Sequence, residues 1–141
     1  MTSRLSLPVD AHLAAIDARL TEAGRLVLVA PPGTGKSTRV PPMLAERGGS
    51  WVVLQPRRLA ARALARRVAA ELGEEVGQSV GYRVRFEQAI SAGTRLTFET
   101  TGTFWLRLLR NPDLADIRGV VVDEFHERGM EADAVLAWVR H

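Results

Sequence analysis

The stretch RLVLVAPPGTGKST, residues 25–38, decides the fold of this 141-residue chain. Its first part, 25–30, is a short continuous apolar run, which is typical of a strand covered on both faces. A glycine-containing loop follows, and a helix is predicted to begin near Ser37. A strand, a glycine loop and a helix in this order are the setting of a phosphate-binding loop, in which backbone N–H groups wrap phosphate oxygens.

The loop fits the phosphate-binding pattern with one departure. Ala30 stands where the first glycine is usual, whereas Gly35, Lys36 and Ser37 have the required spacing. Lys36, the only lysine in the chain, is expected to contact the β- and γ-phosphates of a nucleotide, and Ser37 to coordinate Mg²⁺. The alternative is an ordinary glycine-rich turn before a helix. The predicted nucleotide-binding residues are Pro32, Gly33, Thr34, Gly35, Lys36, Ser37 and Thr38.

A second stretch, RGVVVDEFHERG at 118–129, ends an apolar run in two carboxylates. Ligands of parallel sheets bind where the carboxyl ends of the strands meet. We therefore expect Asp123 to hold Mg²⁺, through water, and Glu124 to orient or deprotonate an attacking water. Capping of the next helix is the alternative role for either carboxylate. The spacing alone gives His126 no catalytic role, and a structural role is the alternative.

The rest of the chain alternates between helical and extended patterns. Strands are predicted at 51–55, 79–86, 95–100 and 119–124, and helices at 10–22, 57–72, 103–109 and 130–140, with Asp10 as the cap of the first helix and Gly24 as its end. This alternation predicts an α/β fold with a mostly parallel sheet and helices on both faces. The length suits one domain, residues 1–141, which we expect to be incomplete at its C-terminus.

Composition narrows the setting of the protein. The formal charge is +3 and there are no cysteines, which excludes disulfides, thiolate catalysis and zinc–thiolate sites. The N-terminus does not read as a signal peptide. No apolar stretch approaches the ~20 residues needed to span a bilayer. A cytoplasmic protein with no membrane partner is expected.

Two strand-to-helix junctions suggest a nucleic-acid site. Arg57 and Arg58 follow the strand at 51–55, and Thr100, Thr101 and Gly102 follow the strand at 95–100. Backbone N–H groups and guanidinium groups at such junctions can together bind phosphates. We therefore expect sequence-independent binding of a nucleic-acid strand through its backbone. The other arginines of the helix at 57–72 are interpreted as a solvated face.

Five motifs in this order resemble the first RecA-like domain of the DEAH-box RNA helicases, and the HrpB-like bacterial branch in particular. They are APPGTGKST, QPRRLAARALARRVA, VGYRVRFE, TTGTFWLRLL and VVVDEFHERGMEADAVL. The resemblance implies a RecA-like P-loop NTPase that uses ATP and Mg²⁺ and acts on RNA, with DNA left open. It also implies that His126 couples the nucleotide site to the rest of the motor, and that Arg58 and Thr100 contact the RNA backbone. Phe125 replaces the usual alanine of the box, and Thr101 stands where many relatives have an acid.

The resemblance also implies partners that the sequence does not contain. The Ser-Ala-Thr coupling motif, the second RecA-like domain with its arginine fingers, and the C-terminal helicase domains are absent. We therefore expect the fragment alone to be inactive. A remnant that binds ATP or RNA without turnover is one alternative. A P-loop small-molecule kinase is another, although that class needs an arginine-bearing lid and a substrate-binding acid, which the sequence lacks.

Overall fold

The structure, a computed structural model, describes residues 4–127 and 129–140. Its sheet has five strands in the described residues, in the order β3-β2-β4-β1-β5. All neighbours pair in parallel except β3, which forms an antiparallel hairpin with β2. The prediction of a mostly parallel sheet is confirmed. The strands are β1 (Ser50–Gln55), β2 (Val80–Val84), β3 (Glu87–Ala89), β4 (Leu96–Thr100) and β5 (Ile117–Val122).

Helices cover both faces of the sheet, as predicted. Helices α1, α2 and α3 pack on one face, and α4 and α5 pack on the other, so the molecule has two hydrophobic clusters separated by the sheet. Short 3-10 turns stand at Pro8–His12 and Phe125–Glu127. The helices are α1 (Leu13–Ala23), α2 (Lys36–Ala45), α3 (Arg58–Glu71), α4 (Thr101–Arg110) and α5 (Met130–Val139).

Strand β1 lies inside the sheet and is buried on both faces. Val53 belongs to the cluster under α1–α3, whereas Val52 and Leu54 belong to the cluster under α4 and α5. Trp51 pairs with Gly119 of β5, and a Cβ at Gly119 would lie 2.2 Å from the indole ring. The glycine therefore gives the indole its space between the two strands.

The prediction of a buried strand at 25–30 is wrong. This segment pairs with no strand in the described part of the chain, and Val27 and Val29 are 89% and 90% exposed. Leu26 and Leu28 are less exposed, at 39% and 37%, and the segment lines a cavity together with α1. The exposure alternates as it would in a strand, but within the described residues no neighbour supplies the pairing. Strand β5 likewise has β1 as its only partner there.

The start of the first helix also differs from the prediction. Asp10 does not cap α1 but lies in the preceding 3-10 turn, where its carboxylate accepts a hydrogen bond from the Leu7 N–H at 2.8 Å. Helix α1 begins at Leu13, three residues later than the predicted cap. Its predicted end is confirmed, because Gly24 adopts a left-handed conformation with φ 71° and its N–H bonds the Leu20 carbonyl.

Candidate functional site

The predicted phosphate loop forms an open turn at the amino end of α2. Gly33 and Gly35 have φ values of 80° and 92°, a region that favours glycine, and Gly35 is the residue before the first turn of the helix. Lys36 is half-buried, and its ammonium group donates to the Ala30 carbonyl at 3.1 Å. Pro32 and Gly33 are exposed, whereas Thr38 is buried and its hydroxyl donates to the Gly35 carbonyl at 3.3 Å. The loop therefore presents backbone to solvent and holds its lysine close beside it.

The two predicted metal-binding residues are in direct contact. The Ser37 hydroxyl donates to Asp123 Oδ2 at 2.6 Å, across 86 positions of sequence. Asp123 directly follows β5, and its N–H bonds the Leu54 carbonyl of β1 at 3.0 Å, so the sheet itself fixes the carboxylate. A hydroxyl and a carboxylate oxygen are the kind of ligands that Mg²⁺ prefers. The donors present therefore fit a magnesium ion.

Gln55 is a site residue that the sequence analysis missed. It ends β1, is buried, and its amide donates to the same oxygen of Asp123 that accepts from Ser37. A signal was available, because Gln55 is a polar residue that ends an apolar run, as Asp123 does on the neighbouring strand. Adjacent parallel strands bring their carboxyl ends together, so both residues reach the same point.

Glu124 and His126 lie just beyond this contact. Glu124 has a φ of 53°, which is uncommon for a residue with a side chain, and its N–H bonds the Asp123 carboxylate at 2.9 Å. Its own carboxylate lies 3.1 Å from Nε2 of His126, which is 72% exposed. Glu124 therefore contacts Asp123 through its backbone and His126 through its side chain.

A cavity of about 710 Å³ joins two of the predicted catalytic residues, Asp123 and Glu124, to most of the predicted nucleic-acid residues, whereas Lys36 and His126 do not line it. Arg57 is the exception: it does not line this cavity, is 73% exposed, and forms an ion pair with Glu127 at 3.0 Å. The predicted site residues that line the cavity are Arg58, Thr100, Thr101, Gly102, Asp123 and Glu124.

The turn Thr100–Gly102 forms the amino end of α4. Thr100 precedes the helix in extended conformation, and its hydroxyl lies 2.7 Å from that of Thr103. The Thr101 hydroxyl donates to the Gln55 carbonyl at 3.4 Å, which is a long contact. Apart from its two chain neighbours and the nearby backbone of its own helix, no described atom lies within 4 Å of the position of a Cβ on Gly102. The amino end of α4 is therefore open toward the cavity and suited to an anion.

Behind this turn lies a buried carboxylate. Glu99, at 0% exposure, pairs with Arg107 of α4, and it stands opposite Arg83 in the β2–β4 register. Burial raises the pKa of Glu99, and the two arginines act against that rise. Burial, aided by the charge of Arg107, lowers the pKa of Arg83.

Comparison with known proteins finds similarity over nearly the whole chain. The chain is 44% identical to the ATP-dependent RNA helicase HrpB of Escherichia coli, over 94% of its own length. It is 38% identical to the probable ATP-dependent RNA helicase DHR2 of Saccharomyces cerevisiae, over 97% of its length. It is also 39% identical to the probable ATP-dependent RNA helicase DHX34 of Homo sapiens, over 94% of its length. No family model matches the chain.

Solved structures agree with the sequence comparison. Two crystal structures of E. coli HrpB, described as a DEAH/RHA helicase and as a DExH-box NTPase, superpose with TM-scores of 0.90 and 0.91 at 41% and 40% identity. They cover 96% and 99% of this chain. The chain, in turn, spans 17% of E. coli HrpB, 20% of DHR2 and 12% of DHX34. In the described residues, no helix is both long enough and apolar enough to cross a bilayer.

Proposed function

Because this chain belongs to the DEAH/DExH family of RNA helicases, we propose that it is the ATP-binding portion of an ATP-dependent RNA helicase. The observation that carries the proposal is the 2.6 Å contact between Ser37 and Asp123. It joins the phosphate loop to the carboxylate at the end of β5, and both halves of a nucleotide site need to meet in this way. The similar proteins are named as ATP-dependent RNA helicases or probable ATP-dependent RNA helicases.

In this proposal, the residues of the loop and of the segment after β5 have separate roles in binding and hydrolysing the nucleotide. The backbone of the open turn and Lys36 bind the β- and γ-phosphates of ATP, and Ser37 and Asp123 hold Mg²⁺. The ion supplies positive charge against the phosphates when it is bound. Glu124, the residue that follows Asp123, accepts a proton from the attacking water. His126 lies against the Glu124 carboxylate, which suits a residue that links Glu124 to another part of the motor.

RNA is proposed to bind in the cavity beside the nucleotide site. Arg58 and the turn Thr100–Gly102 line that cavity together with Asp123 and Glu124. These groups are phosphate ligands rather than readers of bases, so binding is independent of sequence. A DNA strand offers the same phosphates. Because Arg57 points to Glu127 instead, it contributes positive potential rather than a contact inside the cavity.

Turnover is proposed to need a second RecA-like domain. An arginine supplied across a domain interface is typically worth ~10³–10⁵ in the rate of phosphoryl transfer. The exposed side chains of Val27 and Val29 are an apolar surface, and among the described residues one edge of β5 has no partner strand, so both surfaces suit contact with a second domain. We therefore propose that residues 1–141 form a RecA-like domain that works together with a second one.

The nucleotide site is tested by calorimetric titration of the chain with ADP and Mg²⁺. Lys36→Ala removes the charge beside the loop, and we expect affinity to fall by tenfold or more, about the loss of one charge-assisted contact. Arg25→Ala is the matched control, since Arg25 is an exposed cation in the same stretch of sequence. The assignment of the loop is wrong if both variants bind ADP as the parent does.

A phosphate-release assay tests the need for a partner. The chain alone should release almost no phosphate from ATP, with or without RNA. In a complete enzyme that carries this chain, Glu124→Gln should abolish turnover and leave ATP binding intact. Robust RNA-stimulated release by the chain alone, lost in Lys36→Ala, would show instead that it is a self-sufficient ATPase.

A further inference from the structure

A charged cluster lies directly behind the turn that is proposed to bind RNA. Its centre is Glu99, which no solvent reaches, and which pairs with Arg107 on α4. Arg83 of β2 faces Glu99 across the sheet register. Glu99 Oε1 and Arg83 Nε are both buried, and in the described part of the chain neither has a hydrogen-bond partner.

Stability alone does not explain this cluster. Removing charges from water is unfavourable, and replacing a buried ion pair by apolar residues of similar size is often neutral or stabilising. The neighbouring positions Phe98 and Phe104 show that apolar side chains pack well on both faces here. A carboxylate at position 99 that leaves one oxygen without a hydrogen bond therefore indicates a role in geometry.

The position of the Glu99–Arg107 pair in the chain indicates that it fixes the start of α4 relative to the end of β4. Glu99 immediately precedes Thr100, and Arg107 lies in the second turn of α4. The ion pair thus joins the end of β4 to α4 on either side of the turn at 100–102. Thr100 is the last residue of β4 and pairs with Gln55 in the β1–β4 register, so the sheet holds only the start of the turn. The side-chain contacts of the turn are weak or local: the Thr101 hydroxyl reaches the Gln55 carbonyl only at 3.4 Å, and the Thr100 hydroxyl contacts its own helix.

We propose that the Glu99–Arg107 pair, with Arg83 behind it, is a positioning device that holds the amino end of α4 in the orientation that binds an RNA phosphate. The inference rests on the proposed RNA-binding function. It assigns Glu99 and Arg107 no contact with RNA. They act through the backbone of Thr100–Gly102, three residues that line the cavity at the start of the helix, where backbone N–H groups have no partner within the helix.

The positioning role makes a prediction opposite to that of simple electrostatics. Glu99→Gln removes a negative charge close to the cavity, so charge alone would strengthen RNA binding, whereas Arg107→Met removes a positive charge and would weaken it. If the pair acts by holding the turn, each single change breaks it. Both variants then weaken binding, despite their opposite effects on charge.

The test is fluorescence anisotropy of a labelled oligouridylate of about 12 nucleotides, within the usual site size for strand-binding domains, titrated with the chain at low salt. We expect Glu99→Gln and Arg107→Met each to weaken binding by about tenfold, the loss of one charge-assisted contact. Asp113→Asn and Arg110→Gln are matched controls for charge, because both residues are exposed and lie near the end of the same helix. In each control, RNA affinity should change only as the altered charge requires: it should rise slightly in Asp113→Asn and fall slightly in Arg110→Gln.

ADP affinity measured on the same samples separates misfolding from a local effect. Both variants should retain the ADP affinity of the parent, because the nucleotide loop does not contact the pair. If Glu99→Gln also loses ADP binding, the two Arg107 variants provide the test. Arg107→Lys keeps the ion pair and should retain most of the RNA affinity that Arg107→Met loses.

Three results would overturn the inference. In the first, Glu99→Gln binds RNA more tightly than the parent while Arg107→Met binds less tightly, as charge alone requires. In the second, Arg107→Lys and Arg107→Met bind equally well. In the third, the parent fails to bind the oligonucleotide at low salt, which would contradict the proposed RNA-binding function itself.

Discussion

Arg39 offers a sharp test of how the phosphate loop is supported. It lies in α2 one turn beyond Lys36, and its side chain is 1% exposed. Its guanidinium group lies 3.5 Å from Asp10 and 3.4 Å from Glu71, and it donates to the Leu5 carbonyl. Neither carboxylate contact has hydrogen-bond geometry. Arg39 therefore joins the N-terminal segment, α2 and α3 at one buried point.

The expected magnitude for Arg39→Met follows from the exposure of its partners. Breaking a fully buried ion pair typically costs about 3–5 kcal/mol, because it leaves a charge without compensation. Here Asp10 and Glu71 are 31% and 23% exposed, so water compensates part of the loss. Methionine also fills most of the vacated volume. We therefore expect the free energy of unfolding to fall by about 2 kcal/mol, which lies below that range.

Arg39→Met should also affect the phosphate loop. The N-terminal segment supports the loop through a hydrogen bond from the Val9 N–H to the Thr34 carbonyl at 3.0 Å, and Leu7 packs against Gly35. Loosening this segment in Arg39→Met should weaken ADP binding severalfold without removing any phosphate ligand.

Urea unfolding followed by tryptophan fluorescence measures the first effect, and calorimetry the second. The matched control is Arg67→Met, because Arg67 pairs with the same Glu71 at 3.3 Å but is 58% exposed. Such an exposed pair contributes only about 0–1 kcal/mol. If Arg39→Met is as stable as the parent, or if Arg67→Met is equally destabilised, burial is not what gives this contact its strength.

Three further predictions test the sheet, the hairpin and the RNA site. Gly119→Ala should destabilise the chain by about 1–3 kcal/mol in urea, because its Cβ would meet the Trp51 ring at 2.2 Å; an unchanged midpoint would contradict that contact. The Tyr82 hydroxyl donates to Glu87 at 2.5 Å, and this bond lowers the pKa of Glu87 from 4.5 and raises that of Tyr82 from 10.0. The hydrogen bond thus stabilises the fold between pH 4.5 and pH 10.0. Its contribution is lost as the pH falls below 4.5 and Glu87 becomes protonated, or rises above 10.0 and Tyr82 loses its proton. In Tyr82→Phe, the free energy of unfolding should depend less on pH at both the acid and the alkaline end. Identical pH profiles for the variant and the parent would exclude the bond. RNA affinity, measured by anisotropy, should fall linearly on a log–log plot against salt, and a strong preference for one homopolymer at fixed salt would contradict phosphate recognition.

Most elements could be predicted because their signals are local. Strand β1 reads as a continuous apolar run, and α3 begins after Pro56 and ends before Gly73, as the sequence suggests. The segment at 25–30 carries the same apolar signal, yet Val27 and Val29 are exposed. Composition indicates that a segment is able to form a strand. Whether it pairs and is buried depends on a neighbour that can lie far away in sequence.

The candidate site divides in a similar way. Lys36, Ser37 and Asp123 could be predicted because glycine spacing and an abrupt polar ending mark them in the sequence, and the structure places Ser37 against Asp123. The role of each remains a prediction. Gln55 and Glu99 were missed because each owes its importance to a partner on another strand or helix. The short β3 was missed as well, since its three residues EQA have no apolar pattern and its pairing comes from the hairpin with β2.

The 86 positions between Ser37 and Asp123 have a consequence for the order of folding. Parallel pairing between distant segments requires a long loop to close first, and such contacts form slowly. The contact between the two residues arises only when β5 has docked on β1, after the first half of the chain has already been made. A ligand that needs both residues therefore binds only the completed sheet and stabilises it by mass action. Such a ligand stabilises the folded domain and does not speed the early steps of folding.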